Sequence, residues 1–167
     1  MEQRYLKMLV ALTLGLMALF YAAHNIANWD AAVGSLAYVL GQADHAVYSR
    51  NLAPAFGDGP IPTLLTIVIC GAELVVALTL LLGTFTMWRD RRSDAGAFAA
   101  AKRPAIWGAA GAVLVWLGLF GAFGGALYQM WQTQIGAASL NDAFKFGVFG
   151  FLTLIWLSMD EPAPVES

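Results

Sequence analysis

Four long apolar runs, each almost free of charged residues, limit what this chain can fold into. They cover about residues 6–28, 61–88, 104–131 and 142–159. A helix needs about 20 residues, in a range of roughly 17 to 25, to cross the hydrocarbon core of a bilayer. The first three runs are long enough, and Lys145 can help the short fourth run by reaching toward the headgroups. We therefore predict an all-α membrane protein, with four transmembrane helices in an up-down bundle that forms a single domain over residues 1–167.

The charge content supports a lipid environment. Only 12% of the residues are charged, whereas a soluble domain carries roughly 25%. The predicted partner is therefore the lipid bilayer. We also expect other integral membrane subunits, because the predicted bundle is compact, has little chemistry and has almost no extramembrane domain. The formal net charge of −2 gives no reason to expect nucleic acid, and the single cysteine, Cys70, cannot form an intrachain disulfide.

Basic residues predict the orientation, because they are enriched on the cytoplasmic side. Arg4 and Lys7 precede the first run, and five basic residues lie in the connection 89–103. The connection 29–60 holds only Arg50, against three aspartates. We expect a multi-pass protein of the bacterial inner (plasma) membrane with both termini and the basic loop 89–103 in the cytoplasm. The first run also has features of a signal peptide, but it is long for one, and we interpret it as a retained helix.

The outer loop 29–60 is too long for a simple turn. Val33, Leu36 and Leu40 recur at helical spacing in it, which predicts a short amphipathic helix. This helix either lies on the outer membrane face or packs over the mouth of the bundle, and the two interpretations have equal weight.

Glu73 is the only charged residue in LTIVICGAELVVALTLLLG, from Leu65 to Gly83. It belongs to a series spaced by alternating threes and fours, typical of a face that packs against other helices. The members of the series are mostly small or polar: Thr63, Thr66, Cys70, Glu73, Ala77, Leu80 and Thr84. Glu73 lies roughly 18 Å along its helix, near the bilayer midplane, with no basic side chain at that depth. We expect it to face inward as a neutral acid that donates a hydrogen bond.

Two roles for Glu73 stay open. It is a helix clasp, worth about 1–2 kcal/mol, or an intramembrane group that carries a proton or binds a substrate. Small residues on the third and fourth helices predict close helix packing around it. The small residues that we expect at these contacts are all glycines: Gly108, Gly111, Gly118, Gly121, Gly125, Gly147 and Gly150.

A second polar group is predicted at the outer end of the bundle. Its members are Tyr21, His24, Asn25, Asn28, Gln129, Gln132 and Lys145. They form either an outward-opening pocket for a quinone head or a small solute, or a set of side chains that satisfy helix ends and the overlying loop.

The sequence shows no motif for catalysis or for a cofactor. His24 and His45 are the only histidines, and His45 falls in the loop, which argues against bis-histidine haem ligation. We find no metal-ligand cluster, phosphate loop or nucleophile–base pair. We therefore predict no catalytic residue, no metal and no cofactor, although a bound lipid or quinone fits the outer pocket.

Several short motifs resemble the domain of unknown function 2165 family of predicted small integral membrane proteins. They are HNIANWD at the end of the first helix, YVLGQAD in the loop, Glu73, AFAAAK before the third helix, and GGALYQMWQ followed by DAFKF. The chain departs from the family in His24, where Asn is frequent, and in Ala126 and Leu127, where an acid can follow the glycine pair. The resemblance implies the same topology and brings no established activity.

The function predicted first is a non-catalytic accessory or stabilising subunit of a larger inner-membrane complex, with a respiratory or other electron-transfer complex as one host. The alternative is a membrane protein that binds a small ligand such as a quinone or lipid, or handles protons, through Glu73 and the outer polar group.

Overall fold

The protein is built from helices and the turns that connect them. The computed structural model describes residues 2–42, 44–48 and 50–161. Four helical stretches are long and apolar enough to cross a membrane: Glu2–Ala27, Ile61–Arg89, Ala95–Leu127 and Gln134–Ser158. They confirm the predicted all-α fold class with four membrane-spanning helices. The chain beyond residue 161, predicted to be cytoplasmic, lies outside the described residues.

The first helix leads directly into the predicted loop helix. Helix α1 covers Glu2–Ala27, and α2 covers Trp29–Gly41 after a single intervening residue, Asn28. Helix α2 packs against both α1 and α3, which favours a position over the mouth of the bundle. The residue after its last turn, Gln42, has a φ of 55°. Gly41 and Gly57 approach each other so closely that a Cβ on Gly57 would lie 2.8 Å from the Gly41 Cα.

The second and third spans differ in regularity. Helix α3 runs unbroken over Ile61–Arg89. The third span consists of α4 (Ala95–Ala101), α5 (Arg103–Val113) and a π-helical segment, Leu114–Leu127. The Tyr128 N–H closes this segment by donating to the Phe123 carbonyl, five residues back, at 2.8 Å. The sequence pattern indicates one continuous helix here because apolar periodicity does not separate α from π geometry.

The fourth span, α6, covers Gln134–Ser158 and starts well before the predicted position near Asp142. The Thr133 hydroxyl caps it by accepting a hydrogen bond of 3.0 Å from the Gly136 N–H. A short 3-10 turn, Met130–Gln132, precedes this cap. The first two turns of α6 are too polar to count as an apolar run, so hydropathy alone does not include them.

Small residues allow the spans to pack closely. A side chain on Gly83 would overlap the Ala105 backbone, and a Cβ on Gly108 would lie 2.7 Å from the Leu80 Cγ. Gly111 meets Val76, Gly147 meets Leu117, Gly150 meets Ala112, and Gly125 meets Leu140. A Cβ on Gly118 or Gly121, in contrast, would meet no atom of a neighbouring helix within 4 Å.

The bundle has two distinct ends. We call the end that holds the start of α1 and the end of α6 the Lys7 end. We call the opposite end, which holds the end of α1, α2 and the start of α6, the His24 end.

Candidate functional site

Glu73 lies inside the bundle, as its place in the packing series predicts. Its side chain is 1% exposed, and Thr66, Cys70, Ala77 and Leu80 from the same series are also buried. The partner of Glu73 is Asn25 of α1, whose amide nitrogen donates to Glu73 Oε2 at 3.2 Å. The structure thus joins two features that are separate in the sequence, the intramembrane acid and the polar group at the His24 end.

A cavity of about 760 Å³ opens next to this pair. We call it the interhelical cavity, and its walls come from α1, α2, α3, the π-helical segment, the following turn and α6. Most of its lining is apolar. The polar residues that line it are His24, Asn25, Asn28, Ser35, Thr66, Cys70, Tyr128 and Ser139; the apolar ones include Leu36, Val39, Leu65, Ile69, Leu119, Phe120, Phe123 and Met130.

The last turn of α1 supplies the polar edge of this cavity. His24, Asn25 and Asn28 share one side of the helix because residues three and four positions apart are neighbours on its surface. The Asn28 amide nitrogen donates to the His24 carbonyl at 2.9 Å. With the Asn25–Glu73 bond, both amide nitrogens are therefore engaged within the protein.

A second, more open depression follows α1 toward the middle of the span. We call it the α1 groove; its volume is about 810 Å³. Its lining residues are Thr13, Leu16, Met17, Phe20, Tyr21, His24 and Asn25. Tyr21 packs edge-on against Phe146 of α6 with ring centroids 4.9 Å apart. His24 and Asn25 thus border both spaces.

The other predicted members of the outer polar group lie elsewhere. The Gln132 side-chain oxygen accepts hydrogen bonds from the backbone N–H groups of Val47 and Tyr48, at 2.8 and 3.0 Å. Its amide nitrogen donates to the Gln129 side chain. Lys145 forms an exposed ion pair with Asp142 at 2.9 Å. Gln129 and Gln132 thus hold the loop, and Lys145 does not line the cavity.

A buried charge cluster, which is not predicted from the sequence, lies at the Lys7 end. We define the Glu161 cluster as Arg4, Lys7, Lys102 and Glu161. Glu161 Oε1 accepts from Lys7 Nζ at 2.7 Å and lies 3.1 Å from Lys102 Nζ, while Arg4 Nε is 4.0 Å from Oε2. Both lysines also donate to the Met159 carbonyl. The two lysine side chains and Glu161 are each less than 5% exposed.

The cluster favours the ionised form of Glu161. Burial acts to raise the pKa of this carboxyl, but the hydrogen bonds and charges of Lys7 and Lys102 outweigh burial and hold the pKa below its ordinary value. Arg4 extends the cluster by donating to the carbonyls of Arg91 and Ser93 and by lying 4.4 Å from the centre of the Phe98 ring. The signal in the sequence was the position of Glu161 just after α6, on the same side as the basic residues.

Metal-binding groups are sparse in the described ranges. Among residues 2–42, 44–48 and 50–161, no three His, Cys, Asp or Glu side chains come close enough to hold a metal ion together. The cavity's polar groups are amides, hydroxyls, one imidazole and one thiol, which suit hydrogen bonding.

The features that the structure brings together are four apolar spans, a buried intramembrane acid and a polar edge at one end. No curated protein and no solved structure matches the chain. A family model described as a predicted small integral membrane protein, DUF2165, matches residues 3–160. Because this match covers nearly the whole chain, the protein belongs to the DUF2165 family of predicted small integral membrane proteins.

Proposed function

We propose that this integral membrane protein binds a small lipid-soluble molecule in the interhelical cavity, without catalysing a reaction on it. The observation that carries the proposal is the cavity itself, with a volume of about 760 Å³. Ligand sites typically measure about 300–1,000 Å³ and combine an apolar lining with a few converging polar groups. A quinone or a membrane lipid has the matching chemistry, an apolar body with a polar head.

The arrangement of the lining supports an oriented ligand. Val39, Phe120 and Phe123 belong to the apolar walls, whereas His24 and Asn25 lie on the last turn of α1 and Asn28 directly follows it. The walls favour burial of the apolar body, because lipid-soluble groups gain contacts there. The polar head then lies next to the turn formed by residues 24–28.

We further propose that the Lys7 end faces the cytoplasm of a bacterial cell. Arg4, Lys7 and Lys102 lie at this end, and Arg4 donates to the carbonyl of Arg91, the sequence neighbour of the exposed Arg92. Basic residues near helix ends stay on the cytoplasmic side. The interhelical cavity would then open in the outer half of the inner membrane.

An accessory subunit of a larger membrane complex is the second candidate function. The α1 groove favours it, because Thr13, Leu16 and Phe20 border an open depression along α1 that is available for contact with another subunit. Purification in mild detergent tests this candidate. Co-purification of one integral membrane protein in constant ratio would support it, and a homogeneous particle of this chain alone would contradict it.

Cys70 provides a direct test of ligand binding because it is the only cysteine in the chain and lines the cavity. The probe is 1-dodecanol, and the readout is the rate at which N-ethylmaleimide labels Cys70 in the reconstituted protein. We expect 1-dodecanol to slow the labelling. An unchanged rate at all alcohol concentrations that leave the bilayer intact would contradict the proposal.

Two alanine variants provide the matched comparison. Ala32 lines the cavity, whereas Ala23 is exposed on α1 and lines neither space. Ala32→Trp fills the cavity, so Cys70 should be labelled slowly even without alcohol. Ala23→Trp should behave like the unchanged protein.

A further inference from the structure

We infer that the interhelical cavity takes up the hydrocarbon chain of a bilayer lipid sideways, from the leaflet at the His24 end. This inference rests on the proposed function and specifies the ligand as a long-chain lipid whose polar head stays at the membrane surface. The observations behind it are the separation of α3 from the π-helical segment and the two kinds of residue that surround the cavity mouth.

Helix α3 and the third span pack closely along only part of their length. A Cβ on Gly108 of α5 would lie 2.7 Å from the Leu80 Cγ, and a Cβ on Gly111 would lie 3.0 Å from the Val76 Cγ2. Nearer the His24 end, α3 packs only sparsely against the π-helical segment, although that segment is longer than α5. The interhelical cavity occupies this part of the interface, because both elements contribute to its walls.

The exposed side chains around the cavity mouth fall into an apolar and a polar part. The apolar part comes from α3, the π-helical segment and α6, and its members are 38% to 58% exposed. We call it the apolar rim: Leu65, Val68, Phe123 and Ile135. The exposed polar part comes from the end of α1 and from α2. We call it the polar rim: His24, Asn28 and Ser35. The mouth therefore has the same division into apolar and polar parts as a membrane lipid.

The apolar rim lies at the depth of the lipid chains. Helix α3 has 29 residues, so it is roughly 44 Å long, and the hydrocarbon core of a bilayer is about 30 Å thick. Leu65 and Val68 follow Ile61 by roughly 6 and 11 Å along the helix axis. They therefore lie at the edge of the hydrocarbon core and just inside it, with neighbouring lipid chains beside them.

A sideways route keeps an apolar chain away from water. Each CH₂ group that leaves an apolar environment for water costs about 0.8 kcal/mol. A chain that passes the apolar rim moves from lipid to the apolar walls and avoids this cost, whereas a chain that passes the polar rim from the aqueous side does not. The head of the same lipid reaches the polar rim without leaving the membrane surface.

The test uses a phosphatidylcholine that carries a diazirine near the end of one acyl chain, in vesicles that contain the reconstituted protein. Light attaches this chain to the residues that it contacts, and mass spectrometry of peptides locates the attachment. We expect attachment at Val39 and Met130, which line the cavity and are each 5% exposed, as well as at Leu78, which is 63% exposed on α3. Leu157, which is fully buried and does not line the cavity, should stay unlabelled.

The exposed Leu78 makes a negative result informative. Attachment at Leu78 without attachment at Val39 or Met130 would overturn the inference. The proposed function then stands if 1-dodecanol protects Cys70 from N-ethylmaleimide, and it falls with the inference if the alcohol does not.

Three tryptophan substitutions separate the sideways route from a route through the polar rim. Val68→Trp narrows the apolar rim, so most of the labelling at Val39 and Met130 should be lost. Val75→Trp is the matched control, because Val75 is exposed on the same helix and does not line the cavity. Ser35→Trp narrows the polar rim and should leave the labelling largely unchanged. Loss of labelling in Ser35→Trp but not in Val68→Trp would overturn the sideways route.

Added decylubiquinone distinguishes two natural sources of a long chain. Loss of labelling at Val39 and Met130, at quinone concentrations that leave the labelling of Leu78 unchanged, indicates that a quinone is preferred. Labelling that persists indicates a phospholipid. Both results support uptake of a lipid chain through the apolar rim.

Discussion

The Asn25 amide donates a hydrogen bond to Glu73 across the interface between α1 and α3, over a distance of 3.2 Å. This contact satisfies the one acid within the second span and orients the amide at the edge of the interhelical cavity. The sequence leaves two roles open for Glu73, a clasp between helices and a functional polar group. This contact is compatible with both. In this contact Glu73 accepts a hydrogen bond, whereas the sequence predicts that it donates one. Its neutral state stays a prediction.

The Asn25–Glu73 pair should behave as a coupled unit. Asn25→Leu removes the donor and leaves Glu73 buried without its partner, so the free energy of unfolding should fall by about 1 kcal/mol, as for interhelical hydrogen bonds in membranes. Adding Glu73→Leu to Asn25→Leu should recover most of this loss. Thermal unfolding in detergent, followed by tryptophan fluorescence, measures both variants. Additive effects of the two substitutions would show that the contact carries no coupling.

The Glu161 cluster should contribute strongly to stability. Glu161→Gln leaves Lys7 and Lys102 buried without a counter-charge, and removal of one partner from a buried ion pair costs about 3–5 kcal/mol. The matched control is Glu2→Gln, because Glu2 is exposed on the first turn of α1. We expect a large drop in melting temperature for Glu161→Gln and almost none for Glu2→Gln. Equal melting temperatures of Glu161→Gln and Glu2→Gln would mean that the Glu161 cluster does not form in the protein.

Acid should weaken the protein through the same cluster. The pKa of Glu161 is below its ordinary value in the folded protein, so its contribution to stability is complete above about pH 4.3, the ordinary pKa of a glutamate. The contribution is lost as the pH falls through the lower pKa of the folded state. The melting temperature should therefore fall between about pH 5 and pH 2, and it should fall less in Glu161→Gln. Parallel acid curves for the two proteins would contradict this assignment.

The close contact between α3 and α5 should not tolerate one extra methyl group. A side chain on Gly83 would overlap Ala105, whereas a Cβ on Gly71 of the same helix would meet no group from elsewhere in the protein within 4 Å. Gly83→Ala should lower the free energy of unfolding by about 1–3 kcal/mol, as overpacked cores do, while Gly71→Ala should be neutral or slightly stabilising. The yield of monodisperse protein and its melting temperature distinguish the two. Similar yields and melting temperatures of the two variants would show that α3 and α5 lie farther apart at Gly83 than the structure has them.

The parts of the fold that could be predicted from the sequence are those with a local pattern. The four spans follow from hydropathy, α2 follows from Val33, Leu36 and Leu40, and the burial of Glu73 follows from spacing along its own helix. These features depend on residues within a few turns of each other.

The remaining features depend on contacts between distant residues. Glu161 meets Lys7 across more than 150 positions, and no local pattern reports such a pairing. Asn25 reaches Glu73 because of how α1 and α3 are placed relative to each other, which depth counted along single helices does not reveal. The π-helical segment and the early start of α6 depend on backbone hydrogen bonds that apolar periodicity does not specify. For the same reason, Gln129, Gln132 and Lys145, which the sequence predicts at the level of the polar pocket, do not line the cavity.

The most direct test of the central claim is the identity and amount of small molecules that co-purify with the protein. The protein, Ala32→Trp and Ala23→Trp are purified in mild detergent, extracted with organic solvent and measured by mass spectrometry. The account predicts about one molecule of a lipid-soluble compound per chain in the unchanged protein and in Ala23→Trp, and its loss in Ala32→Trp. The same lipid profile in all three proteins would contradict it.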